Sequence, residues 1–139
     1  MKITEIRSFL IDRYLLISVY TDAGIIGNGE AGLWAHHGVV KAALDELSDY
    51  YLGQDPRRIE HHFQVVSRQT HFAGAVLSAA LSAIDIALWD ILGKSVDLPV
   101  YQLLGGKCRD RVKVFENVVG ETLLERVNSA RGHVADGYT

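Results

Sequence analysis

The sequence predicts an α+β fold in which a three-stranded antiparallel meander precedes a set of helices, followed by one further strand and helix. Three observations support this prediction. Three short runs rich in β-branched and aromatic residues occupy residues 3–30. From Val39 onward, apolar residues recur with a helical period of about 3.6 residues. Strand-like alternation returns over Arg111–Gly120, before a last helical stretch.

The three strands of the meander are predicted at Ile3–Ile11, Tyr14–Thr21 and Ile25–Glu30, with a turn at residues 22–24. The glycine-rich stretch GIIGNGEAG at 24–32 matches neither the dinucleotide fingerprint nor the P-loop, and it lacks the lysine that would reach a phosphate. Nucleotide binding is therefore not expected.

Two helices are predicted after the meander. Gly53 can end the first, and the second is expected to begin with Asp55 as its N-cap and Pro56 at its first helical position. The inward residues are Val39, Val40, Ala43, Leu44, Leu47 and Tyr51 in the first helix and Ile59, Phe63 and Val66 in the second.

A third, very apolar helix is predicted to end at Gly93. Asp85 and Asp90 are five residues apart, about 500° of helical rotation, so they cannot act as a carboxylate pair. Asp90 instead precedes Lys94 by four residues, the favourable spacing for an ion pair, and this segment is interpreted as scaffold. The expected buried residues are Leu77, Leu81, Ile84, Leu88, Trp89 and Ile91, with Ala80, Ala83 and Ala87 allowing a neighbour to approach closely.

The last part of the chain is predicted to be a strand over Arg111–Gly120 and an amphipathic helix between a cap at Thr122 and a stop at Gly137. Tyr138-Thr139 resemble the start of another strand. A β-α-β unit needs that final strand to bury its helix, so the ending indicates a truncated unit. The apolar residues of this helix are Leu123, Leu124, Val127 and Val134.

Composition excludes several classes of protein. A hydrophobic fraction of 48% with 22% charged residues is typical of a soluble globular chain of one ordinary domain, and a net charge of −3 gives no reason to expect nucleic acid binding. Neither a signal peptide nor a stretch of membrane-spanning length is expected. A single cysteine, Cys108, excludes an internal disulfide and suits a reducing, cytoplasmic compartment.

No metal or nucleophilic site is expected from the histidines or the cysteine. The adjacent pairs His36-His37 and His61-His62 diverge by about 100° on a helix, and the spacing needed for chelation on one helix face is absent. Surface or partly buried imidazoles are the default. Cys108 has no neighbouring histidine or second cysteine to activate it, so it is interpreted as structural.

The segment from Ala80 to Gly105 resembles the N-terminal signature of the mandelate racemase/muconate lactonizing enzyme family of the enolase superfamily. The opening MKIT, TDAGIIGNGEA and GQDP extend the resemblance over the whole chain, and the acid-sugar dehydratases are the most similar branch. The matching features are Ala80, Ser82-Ala83, Ile84-Asp85, Ala87-Leu88, Asp90, Gly93-Lys94, Pro99 and Leu103-Leu104-Gly105.

This resemblance implies an α+β capping domain over residues 1–110 and, over 111–139, the first strand and helix of a truncated (β/α)₇β barrel. It implies a Mg²⁺-dependent enzyme that removes the proton α to a carboxylate, with the base and the metal ligands on barrel residues absent from this chain. The leading hypothesis is a sugar-acid dehydratase. The alternatives are a racemase or cycloisomerase of the same superfamily, or a non-catalytic, stand-alone capping fragment.

The resemblance also implies that cap loops cover the barrel mouth and select the substrate. It places Arg13, Tyr14, His71 and Phe72 in such loops as substrate-binding residues for a sugar acid, although an ordinary solvated hairpin would also explain the first two. Many acid-sugar dehydratases have an Arg-Gly-Gly-Pro-like stretch where this chain has residues 72–75. Trp34, just after the third strand, could also reach the barrel mouth, but a core position is the expectation for this aromatic residue. The implied partners are a small carboxylate substrate and further copies of the chain, without nucleic acid or membrane.

Overall fold

The computed structural model describes residues 1–69, 71 and 73–138. The chain divides into two compact units, Met1–Gly106 and a second unit that begins at Lys107. The first unit carries the sheet and four helices, and the second carries one helix.

The predicted meander is confirmed. The strands β1 (Ile3–Ile11), β2 (Tyr14–Thr21) and β3 (Ile26–Ala31) form an antiparallel sheet in the order β1-β2-β3. Burial alternates from residue to residue along β2, as expected for a strand with one face on the core. Leu15, Ile17 and Val19 face the core, whereas the residues between them are only partly covered.

The helices of the first unit are α1 (His37–Tyr51), α2 (Ile59–Gln69), α3 (Ala75–Ser95) and the short α4 (Val100–Leu103). Helix α3 packs against β3 and α1. A methyl group at Gly27 would overlap the carbonyl oxygen of Ala87, and one at Gly29 would overlap that of Ala83. These glycines are therefore the points at which the helix backbone touches the sheet.

The buried stripe of α3 agrees with its helical period, with two qualifications. Leu77 and Trp89 pack on the core but stay partly exposed. The fully buried members are Ala80, Leu81, Ala83, Ile84, Ala87, Leu88 and Ile91.

The expectation that no stretch reaches membrane-spanning length is wrong for α3. Its 21 residues have a mean hydropathy of 1.8 over their most apolar window, which meets the length and composition of a membrane span. One face of α3 nevertheless packs on the sheet and on α1. Its apolar composition is that of a core helix.

The predicted start of α2 is also wrong. The helix begins at Ile59, because residues 55–58 form a turn in which Asp55 accepts hydrogen bonds from the backbone and side chain of Arg57. The side-chain hydrogen bond from Arg57 lowers the pKa of Asp55 to about 2. Phe63, predicted to face inward, is 43% exposed.

The second unit has its predicted helix but not its predicted strand. Helix α5 (Leu123–Ala135) begins with a capping box, in which Thr122 and Glu125 each accept a hydrogen bond from the other's backbone. The strand expected over Arg111–Gly120 is absent from the described structure, because a strand requires a hydrogen-bonded neighbour and no described residue pairs with it.

Candidate functional site

The side chains predicted for the first cap loop form a small cluster at one end of the sheet. Asp12 and Arg13 are the two residues between β1 and β2, and Asp12 adopts the positive φ of 54° that a tight hairpin turn of this kind requires. The guanidinium carbon of Arg13 lies 5.5 Å from the centre of the Tyr14 ring and 5.2 Å from that of Trp34. Arg13 Nε also donates a hydrogen bond of 3.3 Å to the Tyr14 hydroxyl.

Trp34 is the member of this cluster that the sequence prediction placed wrongly. It is 68% exposed and is not a core residue. The preceding Leu33 packs against the core, whereas Trp34 follows it in a turn and is directed outward. Strand pairing explains its position, because Leu15 at the start of β2 pairs with Ala31 at the end of β3. The chain leaving β3 therefore passes close to the β1–β2 hairpin.

Arg13 differs from the other stacked arginine of the unit in its charge partner. Arg7 lies 5.1 Å from the centre of the Tyr20 ring and forms an ion pair with Glu5. Arg13 forms no ion pair with any carboxylate in the described part of the chain. The hydrogen bond to Tyr14 raises the pKa of Arg13, so its guanidinium remains a cation at every physiological pH.

His71 and Phe72 belong to the second predicted loop, between α2 and α3. His71 is exposed and lines a surface cleft of about 350 Å³ between α1, α2 and α3, together with Glu46, Tyr50 and Leu77. Over the described residues, no hydrogen bond or ring contact joins His71 to Arg13 or Tyr14. Phe72 lies outside the described residues.

Asp90 has the scaffold role that its spacing from Lys94 predicts, and the two carboxylates of α3 do not form a pair. Asp90 Oδ2 accepts hydrogen bonds from the backbone N–H of Asn28 at 2.9 Å and from Lys94 Nζ at 2.7 Å. Lys94 also donates to the carbonyl oxygen of Ile26, so the pair fastens α3 to β3. Asp85 points elsewhere, into a cleft of about 310 Å³ beside Phe63 and Leu81, where burial raises its pKa.

One histidine is more buried than sequence reasoning expected. His62 is 1% exposed and lies between Tyr50 and the turn at Asp55. Its Nε2 is 2.8 Å from the carbonyl oxygen of Asp55, which can only accept, so Nε2 carries the proton. Nδ1 then accepts from the Tyr50 hydroxyl at 3.0 Å. Burial lowers the pKa of His62, which is therefore a satisfied core group.

The described residues contain no group of three or more histidine, cysteine or acidic side chains that could hold a metal ion. Cys108 is an exposed free thiol. The described site can therefore bind a ligand but offers no metal chemistry. Its binding group is the Arg13 cation at the hairpin, close to the aromatic rings of Tyr14 and Trp34.

The chain is similar in sequence to known proteins along most of its length. The profile of the mandelate racemase / muconate lactonizing enzyme N-terminal domain matches residues 4–105. A D-galactonate dehydratase of Verminephrobacter eiseniae is 40% identical over the whole chain, which covers 37% of that protein. One of Pectobacterium atrosepticum is 46% identical over 87% of the chain and 32% of its own length. The chain thus spans about a third of the length of the curated relatives it matches.

Several solved structures are also similar to this chain. An enolase from Pantoea ananatis with bound D-gluconate and Mg is 36% identical, with a TM-score of 0.85 over 99% of this chain and 35% of the other. A member of the enolase superfamily from Salmonella Typhimurium is 29% identical, with a TM-score of 0.87 over 99% of this chain and 40% of the other.

Proposed function

Because the chain belongs to the mandelate racemase / muconate lactonizing enzyme family, we propose that it is the N-terminal part of a Mg²⁺-dependent sugar-acid dehydratase. The observation that carries this proposal is the 40% identity to a D-galactonate dehydratase along the entire chain. The structural neighbour with D-gluconate and Mg bound supports the same substrate class and the same cation.

In the proposed reaction a base removes the proton from the carbon α to the substrate carboxylate. A general acid then protonates the β-hydroxyl, which leaves as water. The resulting enol takes up a proton and becomes the 2-keto-3-deoxy acid, so that the net change is the loss of one water molecule. The described residues do not fit a Mg²⁺ site. We therefore assign the base, the acid and the metal ligands to residues outside this sequence.

The contribution we assign to this chain is recognition of the substrate at the end remote from the reacting carboxylate. Arg13 and Tyr14 lie in the β1–β2 hairpin, and His71 lies between α2 and α3. Phe72 follows His71 in the sequence and lies outside the described residues. All four are proposed to form the wall of a lid. The planar donors of Arg13 suit the hydroxyl groups that a sugar acid presents there.

The proposed enzyme is cytoplasmic and homo-oligomeric, with a small carboxylate as its substrate and neither nucleic acid nor membrane as a partner. The free thiol of Cys108 supports the compartment, and the net charge of −3 gives no reason to expect nucleic acid binding.

The direct test is to incubate the full-length protein and Mg²⁺ with a panel of six-carbon sugar acids in D₂O. We expect loss of water from D-galactonate or a stereoisomer, detected by mass spectrometry, and abolition of this reaction by EDTA. Exchange of the α-proton without loss of water would contradict dehydration and indicate a racemase. The isolated 139-residue chain is the matched control, and it should bind no stoichiometric Mg²⁺ in a calorimetric titration.

A further inference from the structure

The guanidinium of Arg13 lies close to two aromatic rings. The Arg13 guanidinium is 5.2 Å from the ring centre of Trp34 and 5.5 Å from that of Tyr14. The faces of a guanidinium are poorly hydrated and stack on aromatic rings, whereas its hydrogen-bond donors lie in its plane. Of the five N–H donors of Arg13, only Nε–H has a hydrogen-bond acceptor in the described part of the chain, the Tyr14 hydroxyl, so the other four are available.

The backbone on both sides of this cluster adopts conformations that residues other than glycine rarely take. Asp12, immediately before Arg13, has φ of 54°, and Ala35, immediately after Trp34, has φ of 62°. Left-handed conformations are unfavourable for a residue such as alanine and persist only where the surrounding structure fixes them. The two residues flank exposed side chains, Arg13 after Asp12 and Trp34 before Ala35.

The Arg7–Tyr20 pair shows that stacking alone does not set Arg13 apart. Arg7 also lies over an aromatic ring, but Glu5 neutralises it at 2.7 Å. Arg13 lies near two rings and forms no ion pair with a carboxylate in the described part of the chain, where the neighbouring Asp12 adds only a lesser Coulombic attraction. Its charge is thus left for an acceptor from outside the first unit.

We propose that Trp34 is a positioning residue that holds Arg13 with its in-plane donors free to bind hydroxyl oxygens at the distal end of a sugar-acid substrate. This inference rests on the proposed function and adds Trp34 to it as a determinant of substrate affinity. Trp34 acts on binding and has no part in the proton transfer.

The kinetic test compares four single variants of the full-length protein on whichever sugar acid the wild type dehydrates. Loss of hydrogen bonds to a charged group makes us expect Trp34→Ala to raise KM about tenfold, with kcat changed less than about threefold. Trp34→Phe keeps an aromatic face and should stay near the wild type. Arg13→Ala should match Trp34→Ala, and Arg7→Ala, the matched control, should leave KM unchanged.

The double variant Arg13→Ala/Trp34→Ala separates positioning from an independent structural effect. If Trp34 acts through Arg13, the double variant should be no worse than Arg13→Ala alone. Additive effects, equal losses in Trp34→Ala and Trp34→Phe, or an unchanged KM in Trp34→Ala would each overturn the proposal.

A binding measurement keeps this inference distinguishable from the proposed function. Full-length protein is labelled with 5-fluorotryptophan, and the Trp34 resonance is assigned by its loss in Trp34→Phe. Sugar acids added with Mg²⁺ should shift that ¹⁹F resonance in the wild type and not in Arg13→Ala, whether or not water is lost. If the wild type dehydrates no acid but the shift occurs, the dehydratase proposal fails and the positioning role stands. If no sugar acid shifts the resonance, the positioning role is wrong.

Discussion

The two compact units of this chain both contain helices that the local sequence predicts, but they differ in how they cover their apolar side chains. In Met1–Gly106, Leu88 is 1% exposed and belongs to a continuous core shared by the sheet and three helices. In the second unit, α5 has a complete capping box, yet Leu124 is 69% exposed and no residue of the helix is buried. Local signals are thus enough to place a helix, whereas a core requires partners that are distant in sequence.

The largest expected difference between the two units comes from equivalent leucine truncations. Leu88→Ala in the 139-residue chain should lower the free energy of unfolding by roughly 2–5 kcal/mol, because it removes a buried side chain and leaves a cavity. Leu124→Ala should change it by less than about 0.5 kcal/mol. Urea denaturation followed by circular dichroism measures both, and similar losses would show that α5 shares the core.

The second largest effect is expected at the contact between α3 and β3. Gly29→Ala places a methyl group against the carbonyl oxygen of Ala83, and we expect a loss of about 1–3 kcal/mol from the forced separation of α3 and β3. Gly32→Ala is the control, because nothing lies within 4 Å of a methyl group there. Equal thermal stability of the two variants would mean that the helix does not rest on the sheet at this glycine.

A smaller effect is expected in the second unit. Thr122→Ala removes the hydroxyl that accepts from the backbone of Glu125, which should destabilise α5 by about 1 kcal/mol. Amide hydrogen exchange should report faster opening of residues 123–126 without any change in the first unit. Thr122→Ser, which keeps the hydroxyl, is the matched control.

The smallest effect is a dependence of stability on pH. Burial lowers the pKa of His62 below its usual 6.5, so below that pH the unfolded chain binds a proton that the folded chain resists. Stability from this group is complete above pH 6.5 and declines as the pH falls toward the lower folded pKa.

The groups near His62 are Tyr50, Tyr51, Asp55, Arg58 and His61. Tyr50 would have to exchange its donor role for an acceptor role when Nδ1 is protonated. His62→Gln should therefore flatten the decline in stability between pH 7 and pH 5, while His61→Gln, which changes an exposed ring, should preserve it. If the free energy of unfolding depends on pH identically in both variants, His62 is not the cause of the decline.

The features predicted correctly from the sequence are those that short-range patterns determine. The alternation of Leu15, Ile17 and Val19 and the stripe through Ile84 and Leu88 follow from backbone periodicity, so both appear in the structure as expected. The predicted cap at Thr122 is equally local, and Glu125, three residues further on, completes a capping box that is not predicted from the sequence.

The features predicted wrongly depend on contacts that no local pattern encodes. The residue type of Trp34 predicts a core position, but the chain leaving β3 passes close to the β1–β2 hairpin, and Trp34 is exposed there beside Arg13. Asp55 has the chemistry of an N-cap, yet Arg57 engages it in a turn. The strand over residues 111–120 requires a neighbouring strand that the described residues do not supply.

The central claim is that the first unit contains a complete core and the second does not. Native-state hydrogen exchange of the 139-residue chain, resolved by residue with NMR, tests it most directly. We predict that the slowest amides belong to β2 and α3 and exchange only through global unfolding, while every amide of α5 exchanges through local opening with far lower protection. Protection of α5 equal to that of α3, lost together with it in Leu88→Ala, would contradict the claim.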